Sequence, residues 1–251
     1  MHEQVGHLVF ASLALVNQVN PALVVIENVC EYAKTGSAWI LRHQFRDMGY
    51  VAHEAIISGR DFGCLEPRTR WCMVAASRGI DFSWDDFLPK LAAVRHVEDI
   101  LDPSIGPDDE RWRTFEYLKV KQVRDKAKGN SFAMQTIGPE DTRVPTLRKG
   151  YHKGGSTDPL LRHPTNPDLL RKLTGDEIAR VKDVPPHILE NLSEVVKIEL
   201  LGQGILYEPF AQGGEHLGRQ LITQFADGNA DDALDDSHTG ESAARKMRVS
   251  G

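Results

Sequence analysis

The 251-residue sequence has few of the residues that crosslink small proteins: it contains three cysteines and no CxxC pair. Cys30, Cys64 and Cys72 lie among aliphatic neighbours, which favours reduced thiols over a disulfide or zinc framework. The apolar stretch Leu8–Val19 is too short to span a bilayer and lacks the basic flank of a signal peptide. We therefore predict a cytoplasmic protein without a metal site or a membrane span.

Two further features are missing, namely an internal repeat and a Gly-rich strand-to-helix turn of the kind that holds a nucleotide-like cofactor. Hydrophobic residues make up 41% and charged residues 26% of the chain, as in an ordinary globular protein. The formal net charge of -6 conceals a basic middle, because residues 111–172 hold fourteen Lys and Arg against six Asp and Glu. Such a region suits contact with a phosphate backbone, although a solvated basic face is the alternative.

The amino-terminal third has the pattern of an α/β structure. Its continuous aliphatic run Leu23–Ile26 predicts a strand covered on both faces, as in a parallel sheet. A Gly- and Pro-containing loop between the last two predicted strands indicates a hairpin. The predicted elements are a helix His7–Asn20, a strand Leu23–Glu27, a helix Ser37–Met48, and strands Tyr50–Ile57 and Arg70–Ala76.

The remainder of the chain is less regular. Residues 111–128 are amphipathic and basic, and residues 128–157 are typical of a loop region. Thr174 followed by Glu177 is a capping-box pattern that opens a helix. From Ala226 onward bulky apolar residues almost disappear, which predicts a disordered tail, residues 226–251.

Glu27 follows the predicted first strand, at the end where open α/β sheets bind their ligands. A carboxyl group there could hydrogen-bond the Watson–Crick edge of a flipped-out cytosine and transfer a proton to its ring nitrogen. Asn28 would fix the adjoining turn through a side-chain-to-backbone hydrogen bond. The alternative for Glu27 is an ordinary solvated loop residue.

Arg68 and Arg70 occupy alternate positions, which places both side chains on one face of a strand. The strand continues into an apolar run, and charges leading into such a run are usually paired or hold a ligand. A guanidinium group could bind a base carbonyl oxygen or clamp the Glu27 carboxylate. A strand edge carrying solvated charge is the alternative.

Five short blocks occur in the order found in cytosine-5 DNA methyltransferases, and the sequence resembles that family over roughly residues 20 to 210. The blocks are Glu27-Asn28-Val29, Glu66-Pro67-Arg68-Thr69-Arg70, Pro145-Thr146-Leu147, the segment from Arg171 to Val181, and Leu201-Gly202-Gln203-Gly204-Ile205. The resemblance implies an α/β fold with a partial Rossmann-like methyltransferase sheet and helices, plus a small irregular target-recognition domain. It also implies transfer of a methyl group from S-adenosylmethionine to carbon five of a flipped cytosine in double-stranded DNA.

The resemblance further implies roles for individual residues. Glu27 would be the cytosine-binding carboxyl, Arg70 would contact the carbonyl oxygen of the base, and Arg68 would support that block. The implied DNA-contacting residues are Asn28, Thr146, Leu147, Arg148, Lys149 and Lys153. The implied cofactor-binding residues are Gly202, Gln203 and Gly204. The implied segments are 1–84 (catalytic α/β part), 85–165 (target recognition), 166–225 (helices returning to the catalytic domain) and 226–251 (tail).

The sequence departs from the family pattern in four ways. Glu66 stands where the family usually has Gln, and Gln203-Gly204 stands in place of Gly-Asn. The Gly-rich cofactor turn and the Pro-Cys dipeptide that carries the nucleophilic thiolate are both missing. We therefore expect a complementing N-terminal polypeptide that carries both motifs, which would also cover the open edge of the first strand. A truncated gene product and a catalytically inactive DNA-binding remnant are the alternatives, and a prokaryotic, phage or plasmid origin is expected.

Overall fold

The computed structural model describes residues 3–244, with side chains from Leu8 to Ala226. The helices are α1 (Glu3–Val19), α2 (Gly36–Asp47), α3 (Glu116–Ala127), α4 (Gly175–Val181), α5 (Glu194–Gln203) and α6 (Tyr207–Ala244). The strands are β1 (Leu23–Asn28), β2 (Tyr50–Ser58), β3 (Thr69–Ser77), β4 (Thr136–Ile137), β5 (Leu160–Arg162) and β6 (Leu170–Arg171). The five elements predicted in the amino-terminal third are confirmed to within a few residues.

Contacts divide the chain into two compact units. Unit 1 comprises Met1–Ala55, Trp71–Phe87 and Gly213–Gly251, and unit 2 comprises Ile56–Arg70 and Leu88–Gln212. These bounds differ from the segments predicted from the sequence, since most of residues 166–225 lies in unit 2. The functional role assigned to each predicted segment stays a prediction.

Unit 1 is built on a sheet with the strand order β1-β3-β2. The prediction of a parallel, doubly covered first strand is wrong, because β1 runs antiparallel to β3 and has no other strand partner among the described residues. Val25 of β1 is 54% exposed, whereas every residue from Trp71 to Ala76 in β3 is buried. The aliphatic run of β1 is therefore an edge strand, and the doubly covered strand is β3.

The two faces of β3 in unit 1 bury different residues, as the two-residue period of a strand requires. Trp71, Met73 and Ala75 pack with residues of α1 and α2, including Leu13 and Phe45. The opposite face packs with the segment after β3 and with α6, through Val74, Ala76, Phe82 and Leu217.

Unit 2 has its own core and a small sheet with the order β4-β5-β6. The predicted capping box is confirmed, since Thr174 Oγ1 accepts a hydrogen bond from the Glu177 amide and Glu177 Oε2 accepts one from the Thr174 amide. Helices α4 and α5 pack on each other, and α5 packs on a single 3-10 turn, Lys149–Lys153. This turn begins two residues after Leu147, so the core fixes the backbone of that block.

The expectation of a disordered tail differs from the structure. Helix α6 continues from Tyr207 to Ala244, and residues 245–251 lie outside the described residues. Alanine recurs at positions 226, 230 and 233, and alanine has the highest intrinsic helix propensity.

Candidate active site

Glu27 is the fifth residue of β1 and pairs directly with Cys72 of β3 in unit 1. Residues that are directly opposite in an antiparallel pair project to the same face, so Glu27 shares its face with Cys72 and Val25. Asn28 ends the strand, and its Oδ1 accepts a hydrogen bond of 2.8 Å from the Val29 amide. This hydrogen bond fixes the turn after β1, as the sequence predicts for Asn28.

Arg68 and Arg70 belong to unit 2, as do all the other predicted site residues except Glu27 and Asn28. Both arginines border one narrow cleft, together with Ile57 and Leu206. Arg68 precedes β3, which begins at Thr69, so the predicted shared face of one strand stays a prediction. Arg70 donates a hydrogen bond of 2.9 Å from Nη1 to the carbonyl oxygen of Thr69.

A buried network of charged groups surrounds Arg68. Glu66 Oε2 accepts a hydrogen bond of 2.5 Å from Lys182 Nζ, and Glu66 Oε1 lies 3.5 Å from Arg68 Nη1. Glu66 and Lys182 are completely buried, and Arg68 is 7% exposed. Burial lowers the pKa of Lys182, and the Glu66 carboxylate opposes that shift. The acid that replaces the family's usual Gln is thus neutralised by a lysine.

Sequence reasoning missed Lys182, which directly follows the last residue of α4. The signal that could have found it is Glu66 itself, because an acid in a block leading into a buried strand requires a buried cation. The partner lies 116 residues along the chain, so its position could not be read from spacing.

Arg68 also connects two of the predicted blocks within unit 2. Its guanidinium group lies within hydrogen-bond distance of the carbonyl oxygens of Leu147, Gly202 and Gln203, at 3.3 to 3.5 Å. One side chain thereby connects three backbone positions, and the supporting role predicted for Arg68 stays a prediction.

Gly202 is required by packing. A Cβ atom at this position would lie 2.2 Å from the Lys149 amide nitrogen, so no larger residue fits against the turn. Gln203 uses its side-chain amide to donate to the Glu199 carbonyl oxygen at 3.3 Å. The polar contacts of this block are thus made within the protein.

The block from Arg171 to Val181 forms the rigid base of unit 2. Arg171 makes two hydrogen bonds of 2.7 Å to the Glu177 carboxylate, and both side chains are buried. The hydroxyl of buried Tyr151 donates to the Pro159 carbonyl oxygen and accepts from the Leu173 amide. Sequence reasoning missed Tyr151, which ties the turn after Thr146-Leu147 to this base.

The predicted DNA-contacting residues of unit 2 divide into exposed and buried ones. Arg148, Lys149 and Lys153 line one cavity of about 390 Å³, where Arg148 pairs with the buried Asp158 at 3.2 Å. Thr146 is exposed. Leu147, in contrast, is 1% exposed and belongs to the unit 2 core, so its side chain packs inside the protein instead of facing a ligand.

The thiols of Cys64 and Cys72 have raised pKa values. Burial, with a smaller contribution from Glu27, raises the pKa of Cys72 to about 11, and burial raises the pKa of Cys64 to about 12. A thiol with such a pKa is protonated at neutral pH, and the thiolate is the nucleophilic form. Neither cysteine therefore replaces the missing Pro-Cys nucleophile.

Comparison with known proteins identifies the family. The family profile described as C-5 cytosine-specific DNA methylase matches residues 1–197. The chain belongs to the C-5 cytosine-specific DNA methylase family. A comparison with curated protein sequences finds no match.

Solved structures confirm the fold of this family member. It resembles S. pombe Dnmt2 methyltransferase with a TM-score of 0.68 and 22% identity, over 83% of this chain and 69% of that one. It resembles Entamoeba histolytica methyltransferase EhMeth with a TM-score of 0.62 and 19% identity, over 80% and 63% of the two chains. It resembles a mutant of Spodoptera frugiperda DNMT2 with a TM-score of 0.65 and 12% identity, over 83% and 70%. These methyltransferases are α/β proteins with Rossmann-like sheets.

The family uses S-adenosylmethionine as its methyl donor. The residues predicted to bind it do not form a cradle here, because Gly202 is packed against Lys149 and two carbonyl oxygens of the block accept from Arg68. The Gly-rich turn that would hold such a cofactor is missing from the sequence. The described residues therefore do not fit a complete cofactor site.

No helix among the described residues has the length and the apolar character that crossing a membrane requires.

Proposed function

We propose that this chain supplies the base-holding and DNA-contacting part of a DNA (cytosine-5)-methyltransferase. The family match over residues 1–197 carries the proposal, because it extends through both the Glu27 block and the Arg68 block. Glu27 holds the flipped cytosine and transfers a proton at its ring nitrogen, which eases nucleophilic attack on ring carbon six. The arginines keep the roles that the family resemblance gives them, with Arg70 on the base carbonyl and Arg68 behind it.

The nucleophile and most of the cofactor site come from a segment with the Gly-rich and Pro-Cys motifs, on the same or a separate polypeptide. Two observations support this requirement. The thiols of Cys64 and Cys72 have raised pKa values, and β1 presents a strand edge without a strand partner among the described residues. An open edge accepts another strand, so β1 offers the segment a place to pair.

The basic surface of unit 2 positions the DNA. Arg148, Lys149 and Lys153 line one cavity, and cationic side chains on such a surface bind phosphates and release counterions. The loops of the target-recognition region read base edges in the major groove. This surface also favours one second function, a DNA-binding remnant without catalysis, because it requires no cysteine.

A methyl-transfer assay separates the two functions. Duplex DNA and labelled S-adenosylmethionine are incubated in three mixtures. The first contains this chain, the second contains a segment that carries the two missing motifs, and the third contains both. The enzyme proposal predicts label at carbon five of cytosine only in the complete mixture. Salt-sensitive DNA binding with no transfer in any mixture would support the remnant and contradict the enzyme.

A further inference from the structure

A second basic cavity lies in unit 2. Of its lining residues, only Lys172, Leu173 and Thr174 belong to one of the five family-like blocks. Its volume is about 420 Å³. We name it the Arg113 pocket, and its lining is Arg111, Arg113, Phe115, His152, Lys172, Leu173, Thr174, Glu194, Val195 and Ile198.

The charges in the Arg113 pocket are unbalanced. Arg111, Arg113 and Lys172 face a single acid, Glu194, whose Oε1 already accepts a hydrogen bond of 2.7 Å from the Gly175 amide. Arg111 has a neighbouring acid, Asp109. Arg113 is exposed, and none of the ion pairs found among the described residues includes it. The pocket is therefore electropositive, as a site for an anion must be.

Lys172 is held at the pocket by the backbone. Its Nζ donates a hydrogen bond of 2.8 Å to the carbonyl oxygen of His152, within the turn Lys149–Lys153. Partial burial lowers the pKa of Lys172, the nearby Asp158 carboxylate opposes that shift, and Arg113 makes a smaller contribution that lowers the pKa, so Arg113 and Lys172 lie close enough to repel each other. An anion between them relieves that repulsion.

The remaining lining suits a nucleotide unit better than a bare ion. Phe115, Leu173, Val195 and Ile198 give the pocket apolar walls beside the cations. Phosphate oxygens attached to a sugar would meet charge on one side and carbon on the other. Lys172 also binds the same turn that carries Lys149 and Lys153, so the pocket adjoins the basic cavity already assigned to DNA.

We propose that the Arg113 pocket binds a phosphodiester group of the DNA strand, with Arg113 and Lys172 on the phosphate oxygens. The proposal rests on the proposed function, since it presumes that the chain binds DNA. It adds a contact outside the residues that the family resemblance implies, and it enlarges the DNA-binding surface from one cavity of unit 2 to two.

The test measures the affinity of the full chain for a fluorescent DNA duplex between about 50 and 200 mM salt. Arg113→Gln removes the charge, and Val195→Trp fills the cavity without changing charge at a residue that is 47% exposed. Arg143→Gln is the matched control, because Arg143 is an exposed arginine of unit 2 outside the cavity. A thermal melt of each variant verifies folding.

Arg113→Gln should reduce the slope of log affinity against log salt by about one phosphate contact. Val195→Trp should reduce it similarly, whereas Arg143→Gln should leave it unchanged. Equal losses from Arg113→Gln and Arg143→Gln would indicate a diffuse basic field and overturn the pocket. Unchanged binding of both pocket variants would overturn it as well while leaving the proposed function intact. Absence of salt-dependent binding by the wild type would overturn the proposed function itself.

Discussion

At the residue scale, the buried pair of Glu66 and Lys182 is the most distinctive feature of this chain. Both side chains are completely buried and in direct contact, and Glu66 in turn contacts Arg68. Removing one partner of such a pair leaves an uncompensated charge in the interior, whereas replacing both partners by neutral groups is often tolerated. The pair therefore predicts coupled effects of substitution.

Lys182→Met should lower the free energy of unfolding by about 3–5 kcal/mol, because the Glu66 carboxylate loses the nearer of its two cations. Glu66→Gln combined with Lys182→Met should recover most of that loss. Urea unfolding of the single and double variants measures the coupling. Additive losses in the double variant would show that the two charges do not depend on each other.

Single residues were predicted from the sequence to different degrees. Asn28 and the capping pair Thr174 and Glu177 act through neighbours in the chain, so their roles could be read directly. The burial of Leu147 and the partner of Glu66 depend on segments distant in sequence, and no local pattern encodes those contacts.

At the element scale, the carboxyl end of helix α5 is fixed against the turn Lys149–Lys153. Gly202 makes this contact possible, since it lies against the Lys149 backbone without a side chain. The sequence predicts that this last family block contacts the cofactor. In the structure, its Gly202 packs against the turn Lys149–Lys153 within unit 2.

Gly202→Ala should destabilise the protein by about 1–3 kcal/mol or more, because its methyl group would overlap backbone atoms that cannot move freely. Gly214→Ala is the matched control in helix α6, where a Cβ meets no atom within 4 Å. That control should gain up to about 1 kcal/mol from helix propensity. Thermal unfolding of both variants measures the difference, and a Gly202→Ala protein as stable as the wild type would contradict the packing role.

The strands illustrate what periodicity can predict. The limits of β1, β2 and β3 follow from runs of β-branched and apolar residues flanked by turn residues, and these predictions are confirmed. Strand order and direction do not follow, because an aliphatic run such as Leu23–Ile26 suits a doubly covered strand and an edge strand equally. The partner of β1 is determined by tertiary pairing with β3.

At the scale of the whole molecule, the chain is a member of the C-5 cytosine-specific DNA methylase family. The α/β fold and the family followed from five ordered blocks, and both are confirmed. The division into two compact units did not follow, since it separates residues that are adjacent in sequence at Ala55 and at Arg70. The Arg113 pocket could not be predicted either, because its cations come from segments about sixty residues apart.

In the function we propose, Glu27 holds and protonates the target cytosine once the Pro-Cys segment is present. The most direct measurement is the rate of methyl transfer in the complete mixture for wild type, Glu27→Gln and Glu31→Gln. Glu31 is the matched control, an exposed acid four residues further along in unit 1. Loss of a proton-transferring group lowers a rate by about 10²- to 10⁴-fold, so Glu27→Gln should fall by at least about 100-fold while Glu31→Gln keeps the wild-type rate. Equal rates for Glu27→Gln and wild type would contradict this role of Glu27.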